Sequence, residues 1–451
     1  MAITTQLPPG IRILSATGMV LFCLFLLTGA LAIPFFYESP SMWYKFGIAK
    51  TSLRTGKLLG LTAGLLILLQ LPLAGRLKVL DRIFSLPGLI RQHRRHAWAI
   101  VLMASVHPLC ILLPEGKLTI PMEMRYWPEW AGVALLILIL VQFIAAQWRL
   151  SLRIGFHRWL PGHRIIGFVI AGLLIVHVCF VSETFTDNWL PRLAVVIAAG
   201  VFALLWLWVR SSWLRIHRRP YRVSRAGPIG RDCIGVELES AGGAAMDYLP
   251  GQFAFVSFAG RHLSREPHPF TLASTPSRPG SIQFAIRTCG DWTRQLDRLA
   301  VGDRAYLQGP FGRFSHLFAG SERELILIAG GIGITPMLSM LRYMADHDDK
   351  RPITLIWSNR TPAHLVFNEE LDGLATKLTG LRCIPIFTAD TETGEPSGRL
   401  NRTSLKALLS DNSRTAAVFL CGPPPMMKAL TTDLRRLGFP TREIVTETFG
   451  F

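Results

Sequence analysis

Four histidines form two pairs with the same spacing along the sequence, and this pattern indicates metal binding more clearly than any other in the chain. His93 and His107 lie on one apolar segment, and His163 and His177 lie on another. Each pair is 14 residues apart (93 to 107 and 163 to 177). That interval is close to four helical turns, so both imidazoles of a pair would lie on one helix face, about 21 Å apart. Two such helices side by side would present two levels of paired imidazoles, each able to hold a haem iron from both sides.

Other interpretations of these histidines remain open. A single histidine inside a membrane more often packs helices through a hydrogen bond or relays protons, but the repeated interval favours haem. His96 competes with His93, because its 11-residue distance from His107 is also close to whole turns. Only the matched interval on the other segment favours His93. We expect His157 to lie on another helix face and to be an interface residue.

A change of pattern near Tyr221 predicts a small antiparallel barrel, because short β-type runs there are separated by Gly and Pro. Inside it, residues 268–271 read His-Pro-Phe-Thr, and residues 287–293 read Arg-Thr-Cys-Gly-Asp-Trp-Thr. The second stretch predicts a strand end, a glycine turn and a helix start. Such a helix start can seat a pyrophosphate, and Arg287 adds a fixed positive charge. The alternative is a barrel-corner turn with an ordinary helix cap.

A buried parallel strand is predicted at residues 325–329, followed by Gly-Gly-Ile-Gly-Ile-Thr-Pro at 330–336 and a helical pattern. Glycines at a strand-to-helix turn let backbone N–H groups approach a phosphate closely. The next strand ends in Ser358-Asn359-Arg360, without the acid that would bind the ribose 2′-hydroxyl of NADH. Ser358 and Arg360 suit a 2′-phosphate, which predicts NADPH.

A later strand, at 417–420, ends in Cys-Gly-Pro-Pro-Pro-Met at 421–426. A rigid turn there would line the ligand crevice at the carboxyl edge of an open α/β sheet. Cys421 could equally be a buried small residue. The chain closes with Glu-Thr-Phe-Gly-Phe at 447–451, where an aromatic side chain could join the core or cover a flavin ring.

The first half of the chain predicts a membrane domain. Six apolar segments reach the roughly 20 residues that a span requires. They lie near 11–36, 51–74, 93–114, 127–148, 163–182 and 189–210. Residues 30–32 resemble a signal-peptide cleavage site, but few charges precede the first segment, so we expect a retained helix.

The net charge of +18 could indicate nucleic-acid binding, but the basic residues gather at the ends of the apolar segments, which excludes that class. The positive-inside rule instead predicts a multi-pass protein of the plasma (inner) membrane with both termini in the cytoplasm. The basic residues that predict this orientation lie in the loops on one side of the membrane and are Arg76, Lys78, Arg82, Arg91, Arg94, Arg95, Arg149, Arg153, Arg158, Arg164, Arg210, Arg215, Arg218, Arg219, Arg222 and Arg225. The seven cysteines are scattered without a CxxC pair, which speaks against disulfide, zinc and iron–sulfur frameworks.

Together these motifs resemble the ferric reductase and NADPH oxidase superfamily over nearly the whole chain. The resemblance implies an all-α six-helix membrane domain at 1–213, a β-barrel FAD domain at 214–320 and an α/β Rossmann-like NADP domain at 321–451. It implies two b-type haems, one on His93 and His163 and the other on His107 and His177. It implies FAD contacts at His268, Pro269, Phe270, Thr271, Arg287, Gly290, Trp292, Thr293, Phe449 and Phe451. It implies NADPH contacts at Gly330, Gly331, Gly333, Thr335, Pro336, Ser358, Arg360, Cys421, Gly422 and Pro423.

The resemblance further implies catalytic roles for Thr271, Cys421 and Glu447, and a role for Arg54 near the electron acceptor. The position of Arg54 is explained equally well if it is an ordinary arginine at the membrane interface. The implied function is electron transfer from cytoplasmic NADPH, through FAD and the haems, to an outer acceptor. Oxygen giving superoxide is the expected acceptor, and a ferric chelate is the alternative. Two further alternatives are a subunit that feeds electrons to an extracytoplasmic protein and a haem-binding scaffold. The bilayer is the expected partner, and no obligate protein partner is indicated.

Overall fold

The computed structural model describes residues 9–116, 119–217, 220–242, 245–260, 263–320, 323–389, 397–409 and 414–448. It falls into two compact units, whose boundary along the chain lies between Trp213 and Leu214. The predicted flavin contacts Phe449 and Phe451 lie outside the described residues.

The first unit is helical. Its helices are α1 (Pro9–Phe36), α2 (Gly47–Ala74), α3 (Lys78–Phe84), α4 (Leu86–Leu112), α5 (Trp127–Gln147), α6 (Phe156–Val181), α7 (Glu183–Thr186) and α8 (Trp189–His217). Six of the described helices are long and apolar enough to cross a membrane, which confirms the predicted multi-pass domain. Both histidine-bearing helices begin earlier than predicted, α4 at Leu86 and α6 at Phe156. His93 and His163 therefore lie inside their helices and not at the first residue.

Side-chain packing explains how these helices associate. α2 packs along α4, and α5 packs along α6. Their inward faces form one apolar core, made of Ile67, Ile100, Leu135, Ile139, Ile170 and Leu174. Large apolar side chains such as Leu14, Phe25 and Leu204 point outward and are exposed. An apolar outer surface of this kind is stable only against lipid.

The second unit begins with a six-stranded antiparallel sheet. Its strands are β1 (Tyr221–Gly230), β2 (Cys233–Ser240), β3 (Phe253–Ala259), β4 (His268–Thr271), β5 (Ser281–Arg287) and β6 (Arg304–Phe311), in the order β4-β3-β6-β1-β2-β5. The short helix α9 (Asp291–Arg294) follows β5. Burial alternates along β6, so one face of that strand packs in the barrel core. The predicted antiparallel barrel is confirmed.

A parallel sheet follows in the same unit. Its elements are β7 (Leu325–Gly330), α10 (Ile334–Asp346), β8 (Ile353–Asn359), α11 (Asn368–Lys377), β9 (Leu381–Phe387), α12 (Arg402–Leu408), β10 (Ala417–Gly422), α13 (Pro424–Arg436) and β11 (Ile444–Thr448). The strand order is β11-β10-β7-β8-β9. β7 and β10 are buried along their whole length, as expected for strands covered by helices on both faces. The strand order reverses between β7 and β10, which places a ligand crevice at their carboxyl ends and confirms the Rossmann-like fold.

Candidate functional site

Helices α4 and α6 bring their histidines together in two pairs. The ring centres of His93 and His163 are 6.2 Å apart, with an angle of 72° between the ring planes. The ring centres of His107 and His177 are 6.5 Å apart, at 84°. A metal ion bonded to one nitrogen of each imidazole, at about 2 Å per bond, would hold the ring centres about 6 Å apart. The spacing of both pairs therefore fits an iron that would be held between the two imidazoles.

His96 takes no part in either pair. Its Nε2 lies 2.8 Å from the side-chain amide of Gln92, one turn earlier on α4. Of the two histidines that the sequence left in competition, His93 is the one whose ring faces His163, and its role as a haem ligand stays a prediction.

Backbone carbonyls orient the rings of the second pair. His107 Nδ1 donates to the carbonyl of Gly56 at 2.7 Å, and His177 Nδ1 donates to the carbonyl of Pro128 at 2.9 Å. A carbonyl can only accept, so Nδ1 carries the proton and Nε2 remains available for a metal. In the first pair, Nδ1 of His163 is buried without a hydrogen-bond partner in the described part of the chain. Trp159 stacks on that ring at 4.8 Å.

Two glycines make room for the second pair. A Cβ at Gly60 would lie 2.9 Å from His107 Nδ1, and a Cβ at Gly132 would lie 2.5 Å from His177 Cε1. Both rings therefore rest directly on bare helix backbone. The sequence pattern signalled this only as isolated glycines within apolar helices, which often mark close packing.

An apolar layer separates the two histidine levels. Ile100 lies seven residues from both His93 and His107, and Ile170 lies seven residues from both histidines of α6. Both isoleucines are buried in the helix core described above. Seven residues are close to two turns, so each isoleucine lies on the histidine face of its helix.

Arg54, the predicted acceptor-side residue, is held by neighbours at its end of α2. Its Nη2 donates to Glu38 at 2.7 Å, and its guanidinium carbon lies 4.6 Å from the ring centre of Phe35. Lys50 also contacts Glu38, at 3.2 Å. These contacts explain why an arginine lies at this end of α2, so its presence does not require a bound substrate.

In the second unit, β4 carries the His-Pro-Phe-Thr motif and pairs with β3, with Thr271 opposite Phe253. Thr271 is buried. The ring of His268 stacks on Trp292 at 4.1 Å, and Trp292 Nε1 donates to the carbonyl of Ser264 at 3.0 Å. Trp292 is buried in the barrel core, so it packs His268 of the motif against that core.

The turn before α9 is organised by its own side chains. Thr293 Oγ1 accepts the N–H groups of Cys289 and Gly290 at 3.0 and 2.9 Å, as an ordinary helix cap would. Arg287 donates to Asp232 at 2.7 Å. Arg287 also reaches the dinucleotide turn, because a Cβ at Gly331 would lie 3.9 Å from its Nη1.

Glycines let the turns after β7 and β10 meet at the crevice. A Cβ at Gly422 would lie 3.1 Å from the Cα of Gly330, and a Cβ at Gly333 would lie 2.3 Å from the carbonyl oxygen of Cys421. Trp357 Nε1 donates to the carbonyl of Gly331 at 2.9 Å and so anchors this turn. The sequence pattern did not single out Trp357.

Other predicted dinucleotide residues line the same edge of the sheet. Ser358 pairs in register with Gly330, and Arg360 follows on the exposed side. Thr335 is buried, and its hydroxyl donates to the carbonyl of Ile332 at 3.1 Å, which is a cap within the turn. Pro336 is also buried, whereas Pro423 is exposed.

Cys421 has no exposed surface and lies beside Glu447 of β11. Burial raises the pKa of the Cys421 thiol well above its usual value, and the nearby Glu447 carboxylate raises it further. The thiol is therefore protonated and enclosed. This setting agrees with a packing role, and the predicted catalytic role stays a prediction.

Comparison with known proteins covers both units. Family models described as ferric reductase like transmembrane component, FAD-binding domain and oxidoreductase NAD-binding domain match residues 59–174, 222–318 and 327–432. The reductase component of propane 2-monooxygenase from Rhodococcus jostii is 30% identical over 236 residues, which cover 51% of this chain and 62% of that protein. The Bordetella pertussis flavohemoprotein is 30% identical over 244 residues, 51% of this chain and 60% of that protein.

This chain thus spans about three fifths of these curated relatives. A solved flavohemoglobin from Malassezia yamatoensis with bound FAD and haem aligns with a TM-score of 0.50 at 19% identity, over 90% of this chain and 99% of that one, which shows a likeness of fold alone. The three family models follow one another along one chain, so a ferric reductase-like transmembrane domain is fused here to FAD-binding and NAD-binding domains, which matches the domain arrangement of the ferric reductase and NADPH oxidase superfamily.

Proposed function

We propose that this chain transfers electrons from NADPH, through FAD and two b-type haems, to an acceptor on the other side of the membrane. The observation that carries the proposal is the pair of imidazole levels on α4 and α6, in a chain that also has FAD- and NAD-binding domains. When bound, FAD would convert the two electrons of a hydride into single-electron steps, and a haem held by two histidines would carry one electron at a time.

The helix residues would hold and insulate the haems. His93 and His163 would bind one iron, and His107 and His177 the other. The carbonyls bonded to His107 and His177 fix the ring orientation and increase the basicity of Nε2. The isoleucine layer between the levels excludes water, so that charge moving between them meets a low dielectric.

The residues of the second unit would orient the nicotinamide. The glycine turns after β7 and β10 allow a pyrophosphate to approach backbone N–H groups at the switch point of the sheet. Ser358 and Arg360, at the end of β8, offer a hydroxyl and a positive charge to a 2′-phosphate. Arg287 is close enough to this turn to place its charge near both dinucleotides.

The basic residues in the connections between helices support a direction for electron transfer across the membrane. The connection between α2 and α4 carries Arg76, Lys78 and Arg82, which favours the cytoplasmic face of a plasma membrane. His93 lies nearer to that connection along α4 than His107 does. Electrons would therefore pass from His93/His163 to His107/His177, and both termini would be cytoplasmic.

We propose oxygen as the acceptor, with superoxide as the product, because a small acceptor can take an electron at a haem edge without a dedicated pocket. A ferric chelate is the second candidate. Lys50 and Arg54 both surround the single carboxylate of Glu38, which leaves a positive balance that would attract an anionic chelate.

The test begins with the purified full chain, loaded with haem and FAD under argon. Addition of NADPH should produce the reduced-minus-oxidised bands of b-type haem. Bands that appear with dithionite but not with NADPH would contradict the proposal. Superoxide dismutase-sensitive reduction of cytochrome c in air, compared with reduction of a ferric chelate under argon, then separates the two acceptors.

A further inference from the structure

A set of hydrogen bonds joins α10 to the loop that follows β4. Ser339 Oγ donates to the carbonyl of Ser274 at 2.7 Å, and Thr275 Oγ1 donates to Asp346 at 2.7 Å. Between them, Arg342 Nη1 donates to the carbonyl of Ala273 at 2.8 Å. We call this set the polar seam: Ser339, Arg342 and Asp346 on α10, with residues 273–275 on the barrel side.

The three helix residues form one face of α10. They stand at i, i+3 and i+7, the spacing of side chains that lie above one another on a helix. Ser339, Ser274 and Thr275 are buried, so the bond between Ser339 and Ser274 forms away from water, whereas the bond from Thr275 ends on the exposed Asp346. A buried donor or acceptor that loses its partner is costly, which makes the register between α10 and the loop well defined.

Arg342 is the most connected residue of the seam. Besides Ala273, its Nη1 donates to the side-chain oxygen of Gln283 at 2.9 Å, which adds a bond to β5. Its Nε and Nη2 donate to the two oxygens of Glu370 on α11, at 2.6 and 2.7 Å. The guanidinium group thus fastens two barrel elements and a second helix with four bonds. A lysine cannot reproduce this planar fork.

Both sides of the seam continue directly into the two binding motifs. On the barrel side, residue 273 lies two positions after Thr271, the end of the His-Pro-Phe-Thr strand. On the other side, α10 begins at Ile334, immediately after the glycine turn. A shift between α10 and the loop would therefore displace the dinucleotide turn relative to the flavin motif.

We infer that the polar seam fixes the distance and angle between the nicotinamide and the flavin, with Arg342 as its central positioning residue. This inference rests on the proposed hydride transfer from NADPH to FAD. The nicotinamide gives up a hydride, which is a proton with two electrons, and the flavin accepts it. Such a transfer is sensitive to geometry, and a misplacement of about 1 Å can slow a reaction by about a hundredfold.

The seam residues lie outside both binding motifs, so their loss should change the rate of transfer and not the affinity. In the full-length protein with FAD bound, Arg342→Gln should slow the limiting rate of flavin reduction by about tenfold or more. The Kd for NADPH should stay within about twofold of the unmodified value. Stopped-flow absorbance of the flavin under argon, at a series of NADPH concentrations, gives both quantities.

A matched series separates positioning from general loss of structure. Thr275→Val removes the hydroxyl that bonds Asp346 and should slow transfer, whereas Thr275→Ser keeps the hydroxyl and should restore it. Arg342→Lys keeps the charge but loses the fork, so its rate should lie between those of Arg342→Gln and the unmodified protein. Arg323→Gln is the control, because Arg323 pairs with Glu443 inside the NAD domain and does not belong to the seam.

The inference is overturned if Arg342→Gln and Thr275→Val reduce the flavin at the unmodified rate. It is also overturned if Arg323→Gln slows the rate as much as Arg342→Gln does, or if the Kd for NADPH rises while the limiting rate stays constant. If NADPH does not reduce the flavin of the unmodified protein, the proposed function itself fails and the inference fails with it. Normal reduction in the unmodified protein therefore separates the two failures.

Discussion

In the membrane unit the candidate site consists of four side chains on two helices, whereas in the second unit it consists mostly of backbone at the ends of strands. Among the described residues, the four imidazoles of α4 and α6 are the candidate metal-binding groups of the first site. At the second site, Gly330, Gly333 and Gly422 contribute by lacking a side chain.

This difference determines how each site fails. A site built from side chains loses its function when one ligand is removed, because no neighbouring group replaces it. A site built from backbone is damaged when atoms are added, because the added atoms push apart two turns that must touch. Removing a side chain should therefore reduce function most strongly in the membrane unit, and enlarging a side chain should reduce it most strongly at the crevice.

The largest effect is expected from His93→Ala or His163→Ala. Each variant should lose one of two haems per chain and lower electron transfer to the acceptor by about a hundredfold or more, since one axial ligand is missing. Flavin reduction by NADPH should stay unchanged, because it takes place before the haems. Haem content by the pyridine haemochrome assay, together with anaerobic flavin reduction, measures both.

His96→Ala is the matched control on the same helix, because His96 contacts Gln92 and takes no part in the pair of His93 and His163. It should keep two haems. A His93→Ala protein that retains both haems, or a His96→Ala protein that loses one, would show that the ligands are assigned wrongly.

Gly333→Ala should give the next largest effect. The new Cβ would lie 2.3 Å from the carbonyl oxygen of Cys421, so the turns after β7 and β10 must separate. We expect NADPH affinity to fall by about tenfold or more, and stability to fall by about 1–3 kcal/mol. NADPH titration and thermal unfolding measure the two effects.

Gly373→Ala serves as the comparison on α11, since apart from its chain neighbours and the backbone of its own helix, no described atom lies within 4 Å of the position that its Cβ would take. Alanine favours a helix over glycine by about 1 kcal/mol, so this variant should be as stable as the parent or more so. Equal behaviour of the two glycine variants would contradict a backbone-built crevice.

The sequence predicted most of the fold because periodic patterns carry it. Six apolar stretches and the strand–glycine–helix pattern after 325 were enough for the helices, the barrel and the parallel sheet. The histidine pairs were predictable because residues 14 positions apart in a helix lie on the same face of that helix. The starts of α4 and α6 were placed too late, because the arginines before His93 and His163 looked like the end of a span.

The supporting contacts could not be predicted because they join residues that are far apart in sequence. Arg342 meets Ala273 and Glu370, and Trp357 meets Gly331, only after the chain folds. No interval or local motif encodes such pairs. The same holds for Gly132, whose closeness to His177 depends on how α5 packs against α6.

Arg360→Ala tests a part of the crevice that relies on a side-chain charge. If Arg360 contacts the 2′-phosphate, its loss removes a charge-assisted hydrogen bond worth about 1.5–3 kcal/mol. The KM for NADPH should then rise by about tenfold or more, while the KM for NADH should change by less than about twofold. Steady-state kinetics with both nucleotides provide the comparison, and equal changes in the two KM values would exclude a phosphate contact.

The smallest effect is expected from Cys421→Ala, which separates packing from chemistry within the crevice. The thiol is fully buried, and its pKa is raised well above the usual value, first by burial and then by Glu447, so it holds its proton at neutral pH. Replacing sulfur by hydrogen leaves a small cavity that should cost about 1 kcal/mol of stability. Stopped-flow flavin reduction should slow by less than about threefold, since no charged or reacting atom is removed. A loss of tenfold or more without a change in unfolding temperature would instead make Cys421 a catalytic residue, and the crevice would then depend on a side chain just as the histidine levels do.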